Sequence, residues 1–137
     1  LYRASCVDGD GGSLTLDDTV ALARELRALD VDLMDCSGGG IPSGQRLAAQ
    51  KPEPGFQVPY ADRIRHETGL PTMAVGMITD PKHANDIIAD GRADLISMAR
   101  QFLRGPNWVY RAAQDLGLED PASVLPQLYA FYLRISA

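Results

Sequence analysis

Two strand ends hold the residues of this sequence best suited to chemistry. The first closes the stretch Leu70-Pro71-Thr72-Met73-Ala74-Val75-Gly76-Met77-Ile78-Thr79-Asp80. The second closes Ala93-Asp94-Leu95-Ile96-Ser97-Met98-Ala99-Arg100-Gln101-Phe102-Leu103-Arg104. Each begins as a short apolar run of strand length and ends in small residues just before a helix-start signal. Gly76 lets a ligand approach the main chain closely. Arg100 adds a fixed positive charge with a planar fork of donors. At neighbouring parallel strand ends the backbone N–H groups point the same way. Such N–H groups, a glycine and an arginine together suit a phosphate.

The elements around these ends can be read from capping signals. Asp80 is a good N-cap, and Pro81 suits the first helical position because its missing N–H would be unbonded there anyway. Ala84, Ile87 and Ile88 fall on one helical face, and Gly91 follows as a stop. Strand, helix and strand within about 30 residues make a βαβ unit, which implies parallel neighbouring strands. In (β/α)₈ barrels the usual phosphate site follows strands 7 and 8.

The rest of the chain repeats this order. Residues 1–7 read as a strand. The glycine-rich loop 8–12 lacks the spacing and final Glu of a calcium-binding EF-hand, so it reads as a plain loop. Thr15 is an N-cap, and Leu22, Ala23, Leu26 and Leu29 form the apolar stripe of the helix it starts. Residues 31–36 are the next strand, ending in Ser37-Gly38-Gly39-Gly40. The long polar segment 41–56 is a candidate lid. A short helix spans 60–68, with Pro59 near its start and Gly69 at its end. Another spans 107–116, with Trp108, Ala112 and Leu116 on one face and Gly117 as its stop. The last segment, 118–137, is too apolar to float free, and should dock on a barrel or on another subunit.

This gives four strands and roughly four helices in strict β-then-α order. A complete eightfold barrel needs about 250 residues, so 137 residues supply about half of one. The expected fold class is α/β, a (βα)₄ half of a TIM (β/α)₈ barrel. Four parallel strands with open edges expose unpaired backbone. The chain is therefore expected to pair with a missing half or with a copy of itself.

Composition narrows the function. The net charge of −5 gives no basic stripe for nucleic acid. No apolar run approaches the ~18 residues of a membrane span, and no secretory signal is visible. Cys6 and Cys36 lack metal spacing and read as reduced thiols, which fits a cytoplasmic protein. His66 and His83 fall on outer helices and read as surface residues. Asp32, Asp35 and Asp94 are strand-associated carboxylates without metal-ligand spacing, suited to hydrogen bonding. Arg92 and Arg104 read as solvated helix-end charges. Arg3 has two readings: a ligand contact, or a plain ion pair with Asp35. Met34, Met73, Met77 and Met98 are mostly core filler, with a ligand contact as the second reading of Met77.

Five segments together resemble a known family. They are Arg3-Ala4-Ser5, Val31-Asp32-Leu33-Met34-Asp35-Cys36-Ser37-Gly38, Pro54-Gly55-Phe56-Gln57-Val58-Pro59-Tyr60-Ala61, Ala74-Val75-Gly76-Met77-Ile78-Thr79 and Ala93-Asp94-Leu95-Ile96-Ser97-Met98-Ala99-Arg100. In order and spacing they resemble the Old Yellow Enzyme family, and most closely its thermophilic-like branch of NAD(P)H-dependent, FMN-containing ene-reductases. The resemblance runs from Leu1 to about Gly117 and implies the C-terminal half of the barrel, strands 5 to 8. It divides the chain into a half-barrel with the FMN-phosphate site, 1–117, and a docking tail, 118–137.

The resemblance also implies roles. Arg3 would contact the pyrimidine edge of the flavin, where a cation stabilises the reduced form. Gly76 and Met77 would offer backbone N–H groups to the FMN phosphate. Ala99 and Arg100 would complete that site, with Ala99 standing where the family carries glycine. The family's substrate-anchoring histidine pair and its proton-donating tyrosine lie on the other half-barrel, so no catalytic residue is expected here. Expected partners are that N-terminal half-barrel, further copies in a homo-oligomer and a small enone substrate. Tyr129 matches a tyrosine of the family's tail. Phe131 stands where an arginine would reach a neighbouring subunit, and Arg134 is the nearest substitute. Two other readings stay open: a non-catalytic half-barrel that dimerises and binds phosphate ligands, and a flavin-free barrel enzyme acting on a phosphosugar. The latter needs a lysine or paired carboxylates at strand ends, whereas Lys51 and Lys82 fall in a loop and on an outer helix.

Overall fold

A computed structural model describes residues 1–8, 13–38 and 53–135. The four expected strands are β1 (Tyr2–Ser5), β2 (Met34–Ser37), β3 (Thr72–Ala74) and β4 (Leu95–Ile96). They form one sheet in the order β1-β2-β3-β4, and every pairing is parallel. The helices are α1 (Leu16–Ala28), α2 (Val58–Thr68), α3 (Pro81–Ala89), α4 (Arg100–Arg104), α5 (Trp108–Asp115) and α6 (Gln127–Ile135), with a 3-10 turn at Pro121–Val124. The strict βα alternation and the parallel sheet are those of a partial α/β barrel. The segment after Gly38, up to residue 52, lies outside the described residues together with most of the candidate lid, as do glycines of the 8–12 loop.

Register sorts the side chains by face. Ala4, Cys36, Ala74 and Ile96 align in one row across the sheet. With Met34 and Thr72 they face the helices, where Val20 and Ala23 of α1, Ala61 and Ile64 of α2 and Ala84 and Ile87 of α3 complete the core. Side chains alternate along a strand, so the intervening row Arg3, Asp35, Met73, Leu95 takes the opposite face. That face is partly open: Leu95 keeps 49% of its surface.

Capping explains most boundaries. Thr15 and Asp18 form a reciprocal capping box at the start of α1. Asp80 caps α3 by accepting from the His83 N–H at 2.7 Å, with Pro81 in the first turn. The stops at Gly91 and Gly117 follow one pattern. Each glycine has positive φ, and the next residue's N–H reaches the carbonyl five residues back, Arg92 to Ile87 and Leu118 to Ala113, both at 3.0 Å. The same motif ends α1 with a non-glycine. Asp30 sits at φ 59, and the Val31 N–H reaches Leu26 O at 3.1 Å. This corrects the expected strand start: Val31 belongs to the helix cap, and β2 begins only at Met34.

Three further expectations need correction. The buried stripe of α1 is Thr19, Val20 and Ala23; Leu22 and Leu29 are 40% and 75% exposed. The Thr19 hydroxyl donates to Cys6 O at 2.8 Å, which fixes this rotation of the helix. Ile88 likewise turns outward on α3, and Leu116 falls beyond the buried pair Ala112 and Ala113 of α5. The second apolar run yields a strand of only two residues, Leu95–Ile96, and the chain re-enters helix at α4, closed at Gly105. The segment after Gly117 folds back. Ala122 and Ala130 are buried, while Leu128, Tyr129, Phe131, Tyr132 and Ile135 remain more than half exposed.

One carboxylate joins three elements. Asp94 Oδ2 accepts from Arg65 Nε at 3.0 Å and from the Thr72 N–H at 2.9 Å, linking α2 to the starts of β3 and β4. Burial works against its charge, but these two donors prevail and hold its carboxyl below the usual range. Its contribution to stability is thus complete above the unfolded carboxyl pKa of about 4 and is lost as pH falls through the lower folded value. In Asp94→Asn, urea unfolding should show lower stability at pH 7 and a smaller loss of stability between about pH 4 and pH 2. Replacing Asp30 by glycine should relieve its left-handed backbone and raise stability by about 0.5–1 kcal/mol in the same assay.

Candidate functional site

The ends of β3 and β4 are tied together. The Ser97 N–H reaches Ala74 O at 2.8 Å, just past the last paired residues of the two strands. The space between them is a cavity of about 180 Å³ walled by Val75, Met77, Thr79, Ser97, Ala99 and Arg100, with Gln101 and Arg104 at its edge. Gln101 Nε2 donates to Thr79 O at 3.3 Å, and Arg104 Nη1 donates to Gln101 Oε1 at 3.2 Å, so α4 is strapped across to the β3 loop. Two guanidinium groups border this cavity, and among the described residues no carboxylate lines it. Its chemistry is that of an anion site.

Three of the expected site residues, Met77, Ala99 and Arg100, come together on this cavity. Gly76 lies just behind it, and its glycine identity has a different cause from the one expected. Its φ is +124, and an added Cβ would lie 3.0 Å from the backbone nitrogen of Gln57 and 3.3 Å from a ring carbon of Phe56. Its carbonyl also accepts the Gly55 N–H at 2.6 Å. The close approach is therefore made by the chain's own turn before α2. That turn sets Gly76, and the next residue, Met77, follows at φ 53 and enters the cavity wall. Successive residues of unusual backbone conformation are a common way to turn main-chain N–H groups toward an anion.

Arg3 stands apart from this cavity, on β1 and in register with Asp35. Its Nη1 donates to Asp35 Oδ2 at 3.0 Å. The ion-pair reading of Arg3 is thus met in the structure, while most of the Arg3 side chain stays exposed.

Arg104, by sequence a solvated helix-end charge, instead lines the cavity with Gln101. Arg100 and Arg104 stand four residues apart on α4, which puts them on one face. That spacing carries a signal only once α4 is recognised as a helix. The remaining candidates lie elsewhere. His66 is exposed on α2 beside Asp62, and His83 packs near Gly55. Lys82 pairs with Asp86 on α3 at 2.7 Å. Cys6 and Cys36 are free, buried thiols. Contact with the Cys6 sulfur, and then burial, pushes the Cys36 thiol well above the ordinary range, which makes it a poor nucleophile. Arg134 pairs with Asp120 of its own chain and holds that carboxyl below its usual range. Among the described residues no cluster of three or more His, Cys, Asp or Glu could hold a metal, and no helix is long and apolar enough to cross a membrane.

A parallel α/β sheet whose C-terminal rim carries a cationic cavity defines the class. Comparison with known proteins gives the family. Residues 1–119 match the model of the NADH:flavin oxidoreductase / NADH oxidase family. The chain is 42% identical over 125 residues to an NADPH dehydrogenase of Geobacillus sp. (strain WCH70), covering 90% of this chain and 35% of that protein. It is 41% identical over 118 residues to an NADPH dehydrogenase of Halalkalibacterium halodurans, covering 85% and 33%. It is 39% identical over 124 residues to an NADPH dehydrogenase of Bacillus subtilis (strain 168), covering 90% and 36%. The chain belongs to this flavin oxidoreductase family, the Old Yellow Enzyme family that its sequence resembles. It spans about a third of the length of these relatives.

Replacing Gly76 by alanine forces a side chain onto both a left-handed backbone and the Gln57 amide. The expected cost is about 2–3 kcal/mol, read by chemical denaturation. An unchanged midpoint would mean that the 55–57 turn yields freely.

Proposed function

We propose that this chain is the FMN-holding part of an ene-reductase barrel, contributing strands 5 to 8 of the thermophilic-like branch. The observation that carries this reading is the cavity at the β3 and β4 ends, bordered by Arg100 and Arg104 and, among the described residues, without a carboxylate. It has the charge, the backbone turn and the rim position that a phosphate monoester needs. Arg100 supplies a charged fork to the phosphate, and the main chain at Gly76, Met77 and Ala99 supplies neutral donors. The Ala99 methyl is exposed at the cavity wall, so its N–H can still serve where the family carries glycine. Arg3, two strands away on the same sheet, takes the polar ring edge.

When bound, FMN supplies hydride transfer from NAD(P)H to the β-carbon of an activated alkene such as an enone, in two half-reactions at one site. The share of this chain is to bind and orient. Its strand ends fix the phosphate, and Arg3 offers donors where negative charge would develop on the ring. The residues that anchor the substrate carbonyl and donate the proton belong to the remaining part of the barrel. The open side of the sheet and its unpaired β1 and β4 edges are where that part would complete the cylinder. The exposed aromatic face of α6 suits a contact between copies in an oligomer, and buried free thiols suit a reducing cytoplasm. The phosphosugar reading loses support, because Lys82 is held on α3 by Asp86, away from the strand ends.

FMN and riboflavin separate the phosphate grip from the ring contact. Arg100→Gln should weaken FMN binding about 10- to 100-fold, the loss expected for a hydrogen bond to a charged group. Riboflavin binding, which lacks the phosphate, should stay within about twofold; fluorescence quenching reads both. Equal loss for the two ligands would place Arg100 at the ring. Co-expression with the remaining barrel segment should restore enone reduction, and this chain alone should show none.

A further inference from the structure

The ion pair on the open face of the sheet is lopsided. The Asp35 side chain keeps 7% of its surface, and the Arg3 side chain keeps 61%. Arg3 Nη1 is the donor to Asp35 Oδ2 at 3.0 Å, and Asp35 Oδ1 is buried without a hydrogen-bond partner among the described residues. A buried carboxylate with one charged donor holds that donor strongly, because its departure would leave a bare charge in a desolvated site. Arg3 therefore cannot swing freely, although it is the exposed member of the pair. A guanidinium carries five N–H donors in a rigid fork, and this contact engages one of its nitrogens. The side chain as a whole stays mostly exposed, in the row Arg3, Asp35, Met73, Leu95 on the face away from the helices. The other strand-associated carboxylates are not placed to do the same: Asp94 is occupied by Arg65 and Thr72, and Asp32 precedes β2.

We infer that Asp35 is a positioning residue for Arg3: it anchors the guanidinium from behind and aims the remaining donors at the polar ring edge of the bound ligand. The inference rests on the reading of Arg3 as the ring contact. It adds that Arg3 works as a directed fork more than as a free charge, since the buried carboxylate offsets its field. It also assigns the two readings of Arg3, ion pair and ligand contact, to opposite ends of one side chain.

The test compares the unaltered chain with Asp35→Asn, Arg3→Met, the double variant and Arg3→Lys. FMN and riboflavin binding are read by fluorescence quenching, and stability by guanidinium unfolding without ligand. Asp35→Asn keeps the shape and one acceptor but removes the charge. It should weaken FMN and riboflavin by the same factor, about five- to tenfold, because the contact is to the ring and not to the phosphate. Arg3→Met should do the same, and the double variant should bind no worse than Arg3→Met alone, since Asp35 acts only through Arg3. Arg3→Lys should keep most of the stability but lose ring affinity, an outcome that a merely structural pair would not produce. The inference is overturned if Asp35→Asn exerts its full effect in the Arg3→Met background, or if it spares both ligands. Without ligand, Arg3→Met should be destabilised by the bare carboxylate, and adding Asp35→Asn should recover at least fivefold in the unfolding equilibrium; strict additivity overturns the pairing. If the unaltered chain binds neither ligand, the proposed function falls, and the unfolding data alone then decide whether Asp35 anchors Arg3.

Discussion

The parallel register of four short strands is the constraint on which everything else depends. It places Ala4, Cys36, Ala74 and Ile96 in one row under the helices, and Arg3, Asp35, Met73 and Leu95 in the row facing away. A slip of one residue at any strand would exchange the rows, burying an arginine beneath α1 and turning small apolar side chains outward. Polar bonds at the strand starts oppose such a slip. Asp94 ties the Thr72 amide to Arg65 of α2, and the Thr72 hydroxyl donates to Ala61 O at 3.2 Å. These contacts hold β3 against both α2 and β4, so the cavity at the far end of the same strands inherits a fixed geometry.

At that far end the backbone itself has been reshaped. Gly76 takes a conformation closed to other residues, because the turn before α2 lies against it, and Met77 continues in the left-handed region. The Gly55 N–H holds the Gly76 carbonyl at 2.6 Å, and two residues on the Gln57 side chain donates to Gly38 O at 2.6 Å. The end of β2, the entry to α2 and the end of β3 are thus linked through one buried glutamine. A rim assembled this way can present main-chain donors without reorganising when an anion arrives, which is the condition under which such donors contribute most.

Much of this was legible in the residues. Asp80-Pro81, Gly91 and Gly117 announce their helix boundaries because each performs a backbone task that few residue types can do. The order of strands and helices follows from apolar runs punctuated by those signals. What stayed hidden has physical reasons. Asp30 does the work of a glycine, so nothing in its type marks the end of α1 or the late start of β2. Helix α4 has five residues between Ala99 and Gly105, too few for periodicity to show, and the shared face of Arg100 and Arg104 is hidden with it. The outward turn of Leu22 goes with the Thr19 hydroxyl reaching Cys6, just past β1. The cause of Gly76 is a contact with residues some twenty positions earlier in the chain, which local sequence cannot reveal.

The two thiols have a use that follows from where they lie. Cys6 and Cys36 keep none of their surface and lie in the core that the sheet shares with α1 and α2. An alkylating reagent can reach them only when the helices lift off the sheet, so the labelling rate counts those openings. Since neither sulfur lines the cationic cavity, modification would time the breathing of this core without touching the cavity at the β3 and β4 ends.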